Sequence, residues 1–196
     1  EKYNPRFWNW NKILLKYCDG SHGQGYLEEP IVHNGTNLWF RGYNNSLSVF
    51  EYSKQNMGLF NASEVIVAGF SSGGVSAMNW IQFLSNYLPS SVKLTGLSDA
   101  GLIFDYYNIF TNCFLYKHDM QVLANFTNSK TLDLFKTCEF YNSSEIWKCM
   151  VPQYLYKTIE TPFFISNSIY DASILATVYG ITCALNGAYT CSTNDK

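Results

Sequence analysis

The stretch Glu64-Val-Ile-Val-Ala-Gly-Phe-Ser-Ser-Gly-Gly74 decides the predicted fold. Its β-branched beginning predicts a strand, and Gly69–Gly73 then forms a G-x-S-x-G pattern. Apolar residues at helical spacing predict a helix from Val75 to about Leu88. A strand, a tight glycine-flanked turn and a helix together make a nucleophile elbow, in which a strained serine exposes its hydroxyl at the end of the strand. Ser71 is therefore predicted to be a nucleophile.

Strands and helices alternate along the rest of the chain. Apolar runs predict further strands at residues 11–17, 37–41, 91–97 and 161–166, and helical spacing predicts helices at 44–57 and 174–184. This alternation predicts an α/β fold with a mostly parallel sheet and helices on both faces. Residues 104–158 lack a clear strand and are expected to form a cap-like insertion of short helices and loops. Residues 1–196 are predicted to be a single domain, because no repeat or linker divides them.

The composition excludes several classes of function. Only 14% of the residues are charged, the net charge is -2 and no basic patch occurs, so nucleic acid is not an expected partner. No apolar run approaches the ~20 residues that span a bilayer. The chain opens on Glu1-Lys-Tyr-Asn-Pro-Arg6, which lacks the apolar core of a signal peptide. We therefore expect either a processed terminus or a start within a longer protein.

Asparagine sequons and cysteines point to secretion. The five N-x-S/T sequons, each a possible N-glycan site, begin at Asn34, Asn44, Asn61, Asn125 and Asn142. Cys138 and Cys149 bracket a polar loop, as do Cys183 and Cys191, so each pair could close a short disulfide loop. The alternative is a cytosolic protein with buried thiols.

The remaining cysteines, Cys18 and Cys113, can pair with each other, pair elsewhere or stay free. None of the four loop-bracketing cysteines lies in a C-x-x-C pair, and no histidine cluster accompanies them. We therefore expect no zinc site, and no cofactor is predicted.

Three polar residues follow predicted strands, where a parallel sheet forms its sites: Ser71, Asp99 and Asp171. The α/β-hydrolase triad follows the chain order serine, acid, histidine. Either aspartate could serve as the acid, although a turn or N-cap role is favoured for Asp99 and Asp171 could likewise be the N-cap of the following helix. The residues themselves leave this choice open.

The base of the triad and part of the oxyanion hole are not evident. The three histidines are His22, His33 and His118, and none follows the aspartates. The Ser72 N–H could donate one oxyanion hydrogen bond, but no glycine-rich loop precedes Lys12 to donate the second. Either the order is unusual, the protein is inactive, or the chain is incomplete. Both gaps point beyond the ends of the chain and favour the last interpretation.

Several motifs resemble, in order, those of the pectin acetylesterase and Notum family of carboxylesterases. They are Phe7–Lys12 with Tyr17–Ser21, Leu38–Gly42, the elbow Gly69–Gly74, Ser98–Gly101, the Cys138, Cys149 and Pro152 region, and Thr161–Ile165 with Tyr170 and Asp171. Ser72 stands where the family elbow usually has alanine. Together these motifs are far more specific than the elbow alone.

The resemblance implies an α/β-hydrolase fold, with Ser71 as nucleophile, Asp171 as acid and the Ser72 amide as an oxyanion donor. It also implies that the histidine lies downstream and a Gly-Gly-Trp oxyanion loop upstream, so that the 196 residues are a central part with little or no activity alone. Cys18 would then pair with an upstream cysteine. The expected protein is a secreted, monomeric serine carboxylesterase that removes acetyl groups from a polysaccharide such as pectin. The alternatives are a Notum-like protein-lipid carboxylesterase and a non-catalytic carbohydrate-binding relative.

Overall fold

The computed structural model describes residues 2–129, 143–186 and 191–192. The strands are β1 (Ile31–His33), β2 (Thr36–Leu38), β3 (Glu64–Phe70), β4 (Lys93–Asp99) and β5 (Phe163–Ser166). The α-helices are α1 (Gly42–Asn56), α2 (Ser72–Tyr87), α3 (Leu115–Phe126), α4 (Pro152–Leu155) and α5 (Ala172–Thr177). Single 3₁₀ turns or short 3₁₀ helices lie at Leu59–Asn61, Ser143–Met150, Tyr156–Thr158 and Thr182–Asn186.

The central feature is a parallel sheet in the order β3-β4-β5. The register pairs Phe70 with Asp99 and Asp99 with Ser166, so the three strands end at the same level. The predicted α/β class with a parallel sheet is confirmed. A separate antiparallel hairpin joins β1 and β2. Its turn, Asn34-Gly35, has φ of 50° and 75°, as a two-residue type I′ hairpin turn requires.

Helix α2 packs against β3 and β4 and carries much of the core. Val75, Met78 and Ile81 are fully buried at three-residue spacing, which gives the helix one continuous apolar face. Met78 and Trp80 pack in a cluster that includes Leu155 of α4 and residues of β5. The helix that follows Ser71 is therefore held on the sheet by its apolar face, which fixes the elbow.

The described part of the 104–158 region is helical and irregular. Tyr116 and Met120 of α3 pack with Trp147 and with Ile174 of α5 in one cluster. Between α3 and the Ser143–Met150 helix lies a groove of about 430 Å³. Its lining residues are His118, Gln121, Val122, Ala124, Asn125, Ile146 and Trp147.

Three of the predicted elements differ in the structure. The strand predicted over 37–41 is β2, which ends at Leu38 and pairs with β1 rather than with the parallel sheet. Residues 11–17 lie within the described part of the chain, are exposed and form no strand. The helix predicted over 174–184 is instead α5, which ends at Thr177 and is followed by Gly180 at φ 85°. That left-handed conformation cannot continue an α-helix and is favoured by glycine, which lacks a Cβ.

The cysteines follow the sequence prediction in part. Cys183 and Cys191 form the predicted disulfide, with their Cα atoms 5.1 Å apart. Cys149 is also disulfide-bonded, and its predicted partner Cys138 lies outside the described residues. Of the open alternatives for Cys18 and Cys113, the structure shows both free and exposed.

Candidate active site

Ser71 occupies the junction between β3 and α2 with φ 55° and ψ −122°. A non-glycine residue with positive φ is uncommon, and such strain persists only where the surrounding structure enforces it. The Ser71 N–H donates to the Asp99 carbonyl at 2.8 Å, and the Ser71 carbonyl accepts from the Gly74 N–H at 2.8 Å. The serine is exposed. This is the backbone geometry of a nucleophile elbow.

Glycines allow the strand and the helix to cross closely beside Ser71. A Cβ at Gly69 would lie 2.0 Å from the Gly73 carbonyl oxygen. One at Gly74 would lie 2.4 Å from the Ser98 Oγ, and one at Gly101 would lie 2.8 Å from the Gly74 Cα. Any side chain at these positions would force the backbone apart. Gly69, Gly74 and Gly101 thus have a steric role, whereas a Cβ at Gly73 would meet nothing within 4 Å.

Asp171 lies after β5 and is the N-cap of α5. Its Oδ1 accepts from the Ser173 N–H at 3.0 Å and from the Ile174 N–H at 3.1 Å. This is the structural role that the sequence allowed for it. Both bonds use the same oxygen, so among the described residues Oδ2 remains available to another donor.

Asp99 ends β4, and its contribution to the elbow comes from its backbone. Its carbonyl accepts from the Ser71 N–H, while its side chain is exposed. The next residue, Ala100, has φ 52° and donates its N–H to the Ser166 carbonyl at 2.7 Å. Asp99 therefore supports the turn in which Ser71 sits without using its carboxylate for that contact.

Ser72 is the first residue of α2. The first N–H groups of a helix have no intrahelical acceptor and lie at the positive end of the helix dipole. The Ser72 amide is thus suited to hold a negative oxygen next to Ser71. The Ser72 side chain hydrogen-bonds with Tyr17, which brings the loop that follows Tyr17 to the elbow.

The Asp19–Gly25 loop is a buried polar structure that the sequence did not predict. The Asp19 Oδ2 accepts from the Ser21 hydroxyl at 2.5 Å and from the Gly42 N–H at 2.5 Å. The Ser21 Oγ in turn accepts from the Gly25 N–H at 2.7 Å. Its glycine- and serine-rich sequence indicates only turns. Burial arises because the loop packs against α2, where the Trp80 Nε1 donates to the Gly23 carbonyl at 3.2 Å.

His22 is buried in this loop, and its ring stacks on Tyr17 with centroids 6.2 Å apart. Its Nδ1 is buried and has no hydrogen-bond partner among the described residues. Burial lowers the pKa of His22 to about 4, against an opposing effect of the Asp19 carboxylate. The ring is therefore neutral at pH 7. His33 and His118 are exposed, at the end of β1 and in α3 respectively.

Metal-binding, membrane-spanning and glycosylation features differ among the described residues. Within residues 2–129, 143–186 and 191–192, no cluster of three or more His, Cys, Asp or Glu could hold a metal ion. No described helix has the length and apolarity to cross a membrane. The sequon asparagine Asn142 lies outside the described residues. The other four sequon asparagines are all exposed: Asn34, Asn44, Asn61 and Asn125.

A family model described as Pectinacetylesterase matches residues 1–196. Pectin acetylesterase 5 of Arabidopsis thaliana is 32% identical over 170 residues, which are 86% of this chain and 38% of that protein. The palmitoleoyl-protein carboxylesterase NOTUM of Schmidtea mediterranea is 26% identical over 179 residues, 87% of this chain and 33% of that protein. The chain thus spans about 40% of the length of the plant relatives.

The solved structure of the Wnt deacylase Notum from Drosophila has the same fold. It aligns with a TM-score of 0.75 at 20% identity, over 91% of this chain and 50% of that chain. The α/β-hydrolase fold that the sequence motifs implied is confirmed.

Proposed function

The chain belongs to the pectinacetylesterase family, and from that premise we propose that it is the central part of a secreted serine carboxylesterase that removes acetyl groups from a polysaccharide such as pectin. The single observation that carries the proposal is the conformation of Ser71, with φ 55° at the junction of β3 and α2. An exposed serine held in this strained geometry is suited to attack a carbonyl.

In the proposed reaction, the Ser71 Oγ attacks the acetyl carbonyl carbon and transfers its proton to a histidine supplied by sequence outside the 196 residues. The Ser72 N–H stabilises the oxyanion. The bond from the carbonyl to the sugar oxygen then breaks, and the histidine returns the proton to the departing alcohol. Water, deprotonated by the same histidine, hydrolyses the acetyl-serine and releases acetate. The reaction requires no metal or redox partner.

Asp171 is proposed as the acid that orients the histidine. Its Oδ1 is fixed by two backbone N–H groups, which leaves Oδ2 for an imidazole N–H. It also follows Ser71 in the chain, as the α/β-hydrolase order requires. Asp99, by contrast, supports the elbow through its carbonyl.

The proposed enzyme is a secreted, monomeric glycoprotein. The Cys183–Cys191 disulfide supports secretion, because disulfides persist in oxidising compartments. The exposed asparagines of the described sequons are compatible with N-glycans. A Notum-like lipid esterase and a non-catalytic carbohydrate-binding protein are the competing functions.

The test uses the protein expressed from its complete coding sequence. Acetate release from acetylated pectin is measured for the wild type and for Ser71→Ala, with Ser85→Ala, a second serine of α2, as the matched control. We expect turnover to fall by about 10⁵-fold in Ser71→Ala and to persist in Ser85→Ala. Unchanged turnover in Ser71→Ala would reject the nucleophile.

The competing functions give different results in the same assay. A wild-type protein that releases palmitoleate from an acylated peptide and leaves acetylated pectin intact would favour the lipid esterase. A wild-type protein that hydrolyses neither substrate nor p-nitrophenyl acetate would favour the non-catalytic relative.

A further inference from the structure

The groove beside α3 contains the asparagine of a sequon. It has a volume of about 430 Å³ and lies between α3 and the Ser143–Met150 helix. Asn125, which begins the sequon Asn125-Phe126-Thr127, is one of its lining residues. The volume falls within the roughly 300–1,000 Å³ that is usual for small-molecule sites. The groove therefore has room for a sugar ring attached to Asn125.

The geometry of α3 directs the Asn125 side chain along the groove. His118, Gln121 and Asn125 are separated by three and four residues, so they lie on one face of the helix. Tyr116 and Met120 lie on the opposite face, where they are buried. Side chains of a helix tilt toward its N-terminus. A group attached to the exposed Asn125 would therefore extend toward Gln121, along the groove.

The walls of the groove match the two kinds of surface that N-acetylglucosamine presents. Val122, Ile146 and Trp147 supply apolar atoms, and Val122 is 50% exposed. Gln121 and His118 supply hydrogen-bond donors and acceptors. The sugar has an acetyl methyl group and C–H faces for the apolar wall, and hydroxyl and amide groups for the polar one. Among the described residues, no aspartate, glutamate, lysine or arginine lines the groove, as suits a neutral sugar.

Covalent attachment makes an exposed groove sufficient for binding. A free sugar would lose translational and rotational freedom when it binds, and this loss opposes association. A sugar already joined to Asn125 binds within the same molecule, at a high effective concentration. Asn125 stands in the wall of the groove, so no linker has to be ordered. The groove thus suits an attached sugar better than a free one.

The sequon threonine indicates when the sugar would be attached. Thr127 is fully buried, and its Oγ1 donates to the Leu123 carbonyl at 2.8 Å. Its carbonyl accepts from the Tyr26 N–H at 2.9 Å. An enzyme that recognises the threonine hydroxyl cannot reach it in the folded protein. Transfer must therefore precede the folding of this end of α3, and the sugar enters the groove as the helix forms.

We propose that Asn125 carries an N-glycan whose first N-acetylglucosamine lies in this groove and stabilises α3 against the Ser143–Met150 helix. In the transfer, the Asn125 Nδ2 forms a bond to C1 of the first sugar of a lipid diphosphate-linked oligosaccharide. The bond from C1 to the diphosphate breaks, the lipid diphosphate leaves, and the amide nitrogen loses one proton. The proposal rests on the proposed secretion, because secreted proteins meet this donor. It adds a binding site for the sugar to the sequon itself.

The test uses the protein expressed from its complete coding sequence in cells that attach high-mannose N-glycans. Mass spectrometry of the peptide that contains Asn125 should find the glycan in the wild type. An endoglycosidase that leaves one N-acetylglucosamine on each asparagine should change the melting temperature little. Complete removal by a peptide N-glycosidase should then lower it by about 2 °C. In Asn125→Gln, this second step should have almost no effect.

Two further variants separate the groove from the attachment itself. Val122→Ser alters a half-exposed apolar wall, so it should retain the glycan but lose most of the drop in melting temperature. It also retains the change from asparagine to aspartate that complete enzymatic removal causes. Asn34→Gln removes the sequon at the turn of the β1–β2 hairpin and should show the full drop. Each variant is compared with its own fully deglycosylated form, which cancels any effect of the substitution on folding.

The outcomes separate this proposal from the proposed function. An unmodified Asn125 in a protein that carries glycans at Asn34 or Asn61 overturns the proposal and leaves secretion intact. A glycan on Asn125 with an equal drop in the wild type and in Asn125→Gln, or in the wild type and in Val122→Ser, overturns the groove as its binding site. Absence of glycans from every sequon rejects the proposed glycoprotein as well. Acetate release by the wild type and Ser71→Ala tests the enzyme independently of these results.

Discussion

The two strand-to-helix junctions that carry Ser71 and Asp171 are built in different ways. At the first, β3 passes into α2 through a single residue, with φ 55° and ψ −122°. At the second, residues 167–170 separate β5 from α5, and the N-cap has an unstrained φ of −62° and ψ of 112°. The position of Ser71, the proposed nucleophile, is therefore fixed by its backbone. The position of Asp171, the proposed acid, is fixed by hydrogen bonds of its side chain.

Because of this difference, the proposed catalytic role of Asp171 can be tested separately from its structural role as an N-cap. In the protein from the complete coding sequence, Asp171→Asn should lower kcat for acetate release by about 10⁴-fold, because an amide would orient the histidine in the wrong tautomer. Asparagine is as good an N-cap as aspartate, so the free energy of unfolding should change little. Steady-state kinetics and denaturant unfolding measure both quantities.

Asp99→Asn is the matched control, since it alters the other aspartate at the same end of the sheet. Its carbonyl contact with the Ser71 N–H is retained, and we expect only a small change in kcat. A greater loss of kcat in Asp99→Asn than in Asp171→Asn would identify Asp99, at the end of β4, as the acid instead.

The same contrast explains what the sequence could predict. The Ser71 junction is encoded locally by β-branched residues, followed by Gly69 and then by apolar residues at helical spacing. The strand β3 and the helix α2 are found within a few residues of their predicted bounds. Asp171 was predicted as either an acid or an N-cap, and the structure shows the cap. Only the family motifs selected it as the acid, which stays a prediction.

Features that depend on distant contacts were missed. The apolar run at 11–17 resembles a strand, but a strand also needs a hydrogen-bonded neighbour, which composition does not supply. The Asp19–Gly25 loop is rich in turn-forming residues, and these alone do not indicate burial. Asp19 is buried because it accepts from the Gly42 N–H, 23 positions along the chain. Neither long-range partner can be read from local spacing.

Gly69→Ala tests the steric demand of the Ser71 junction. The new Cβ would lie 2.0 Å from the Gly73 oxygen and 2.2 Å from the Gly73 carbonyl carbon. Because backbone on both sides would have to move, we expect the free energy of unfolding to fall by about 4 kcal/mol. Gly73→Ala is the control, since its Cβ would meet nothing within 4 Å. Equal stability of the two variants in denaturant unfolding would disprove the close crossing.

Lowering the pH should destabilise the folded protein next to Ser71, because His22 lies in the loop that packs against α2. The folded-state pKa of His22 is lowered from 6.5 to about 4. The unfolded chain therefore takes up a proton first, so stability is greatest above pH 6.5 and falls as the pH drops from 6.5 to 4. Across this pH range, protonation of His22 should lower the free energy of unfolding by roughly 3 kcal/mol.

His22→Gln should remove that part of the pH dependence, as measured by denaturant unfolding at pH 7, 5.5 and 4. His118→Gln, at an exposed position of α3, should retain the wild-type slope. An identical slope in His22→Gln and the wild type would show that His22 is not buried as a neutral ring.

Ser71→Gly should relieve the strain of the first junction. Glycine adopts a positive φ freely, whereas strained non-glycine residues cost about 1–3 kcal/mol. Part of this gain is offset by the greater entropy of glycine in the unfolded chain, so we expect stability to rise by about 1.5 kcal/mol. Ser71→Ala keeps the Cβ and should leave the strain in place. Thermal or denaturant unfolding that ranks the two variants equally would mean that the conformation stores no strain.

Asp171→Ala has the smallest expected effect. It tests the second junction by removing a stabilising contact, whereas Ser71→Gly removes a strain. Alanine has no acceptor for the Ser173 and Ile174 N–H groups, so loss of the cap should cost about 1 kcal/mol of the free energy of unfolding. Asp171→Ser restores an acceptor at the N-cap and should recover most of that stability without recovering activity. Full stability in Asp171→Ala would show that α5 does not depend on its cap. The junction at Asp171 would then, like the one at Ser71, be determined by its backbone.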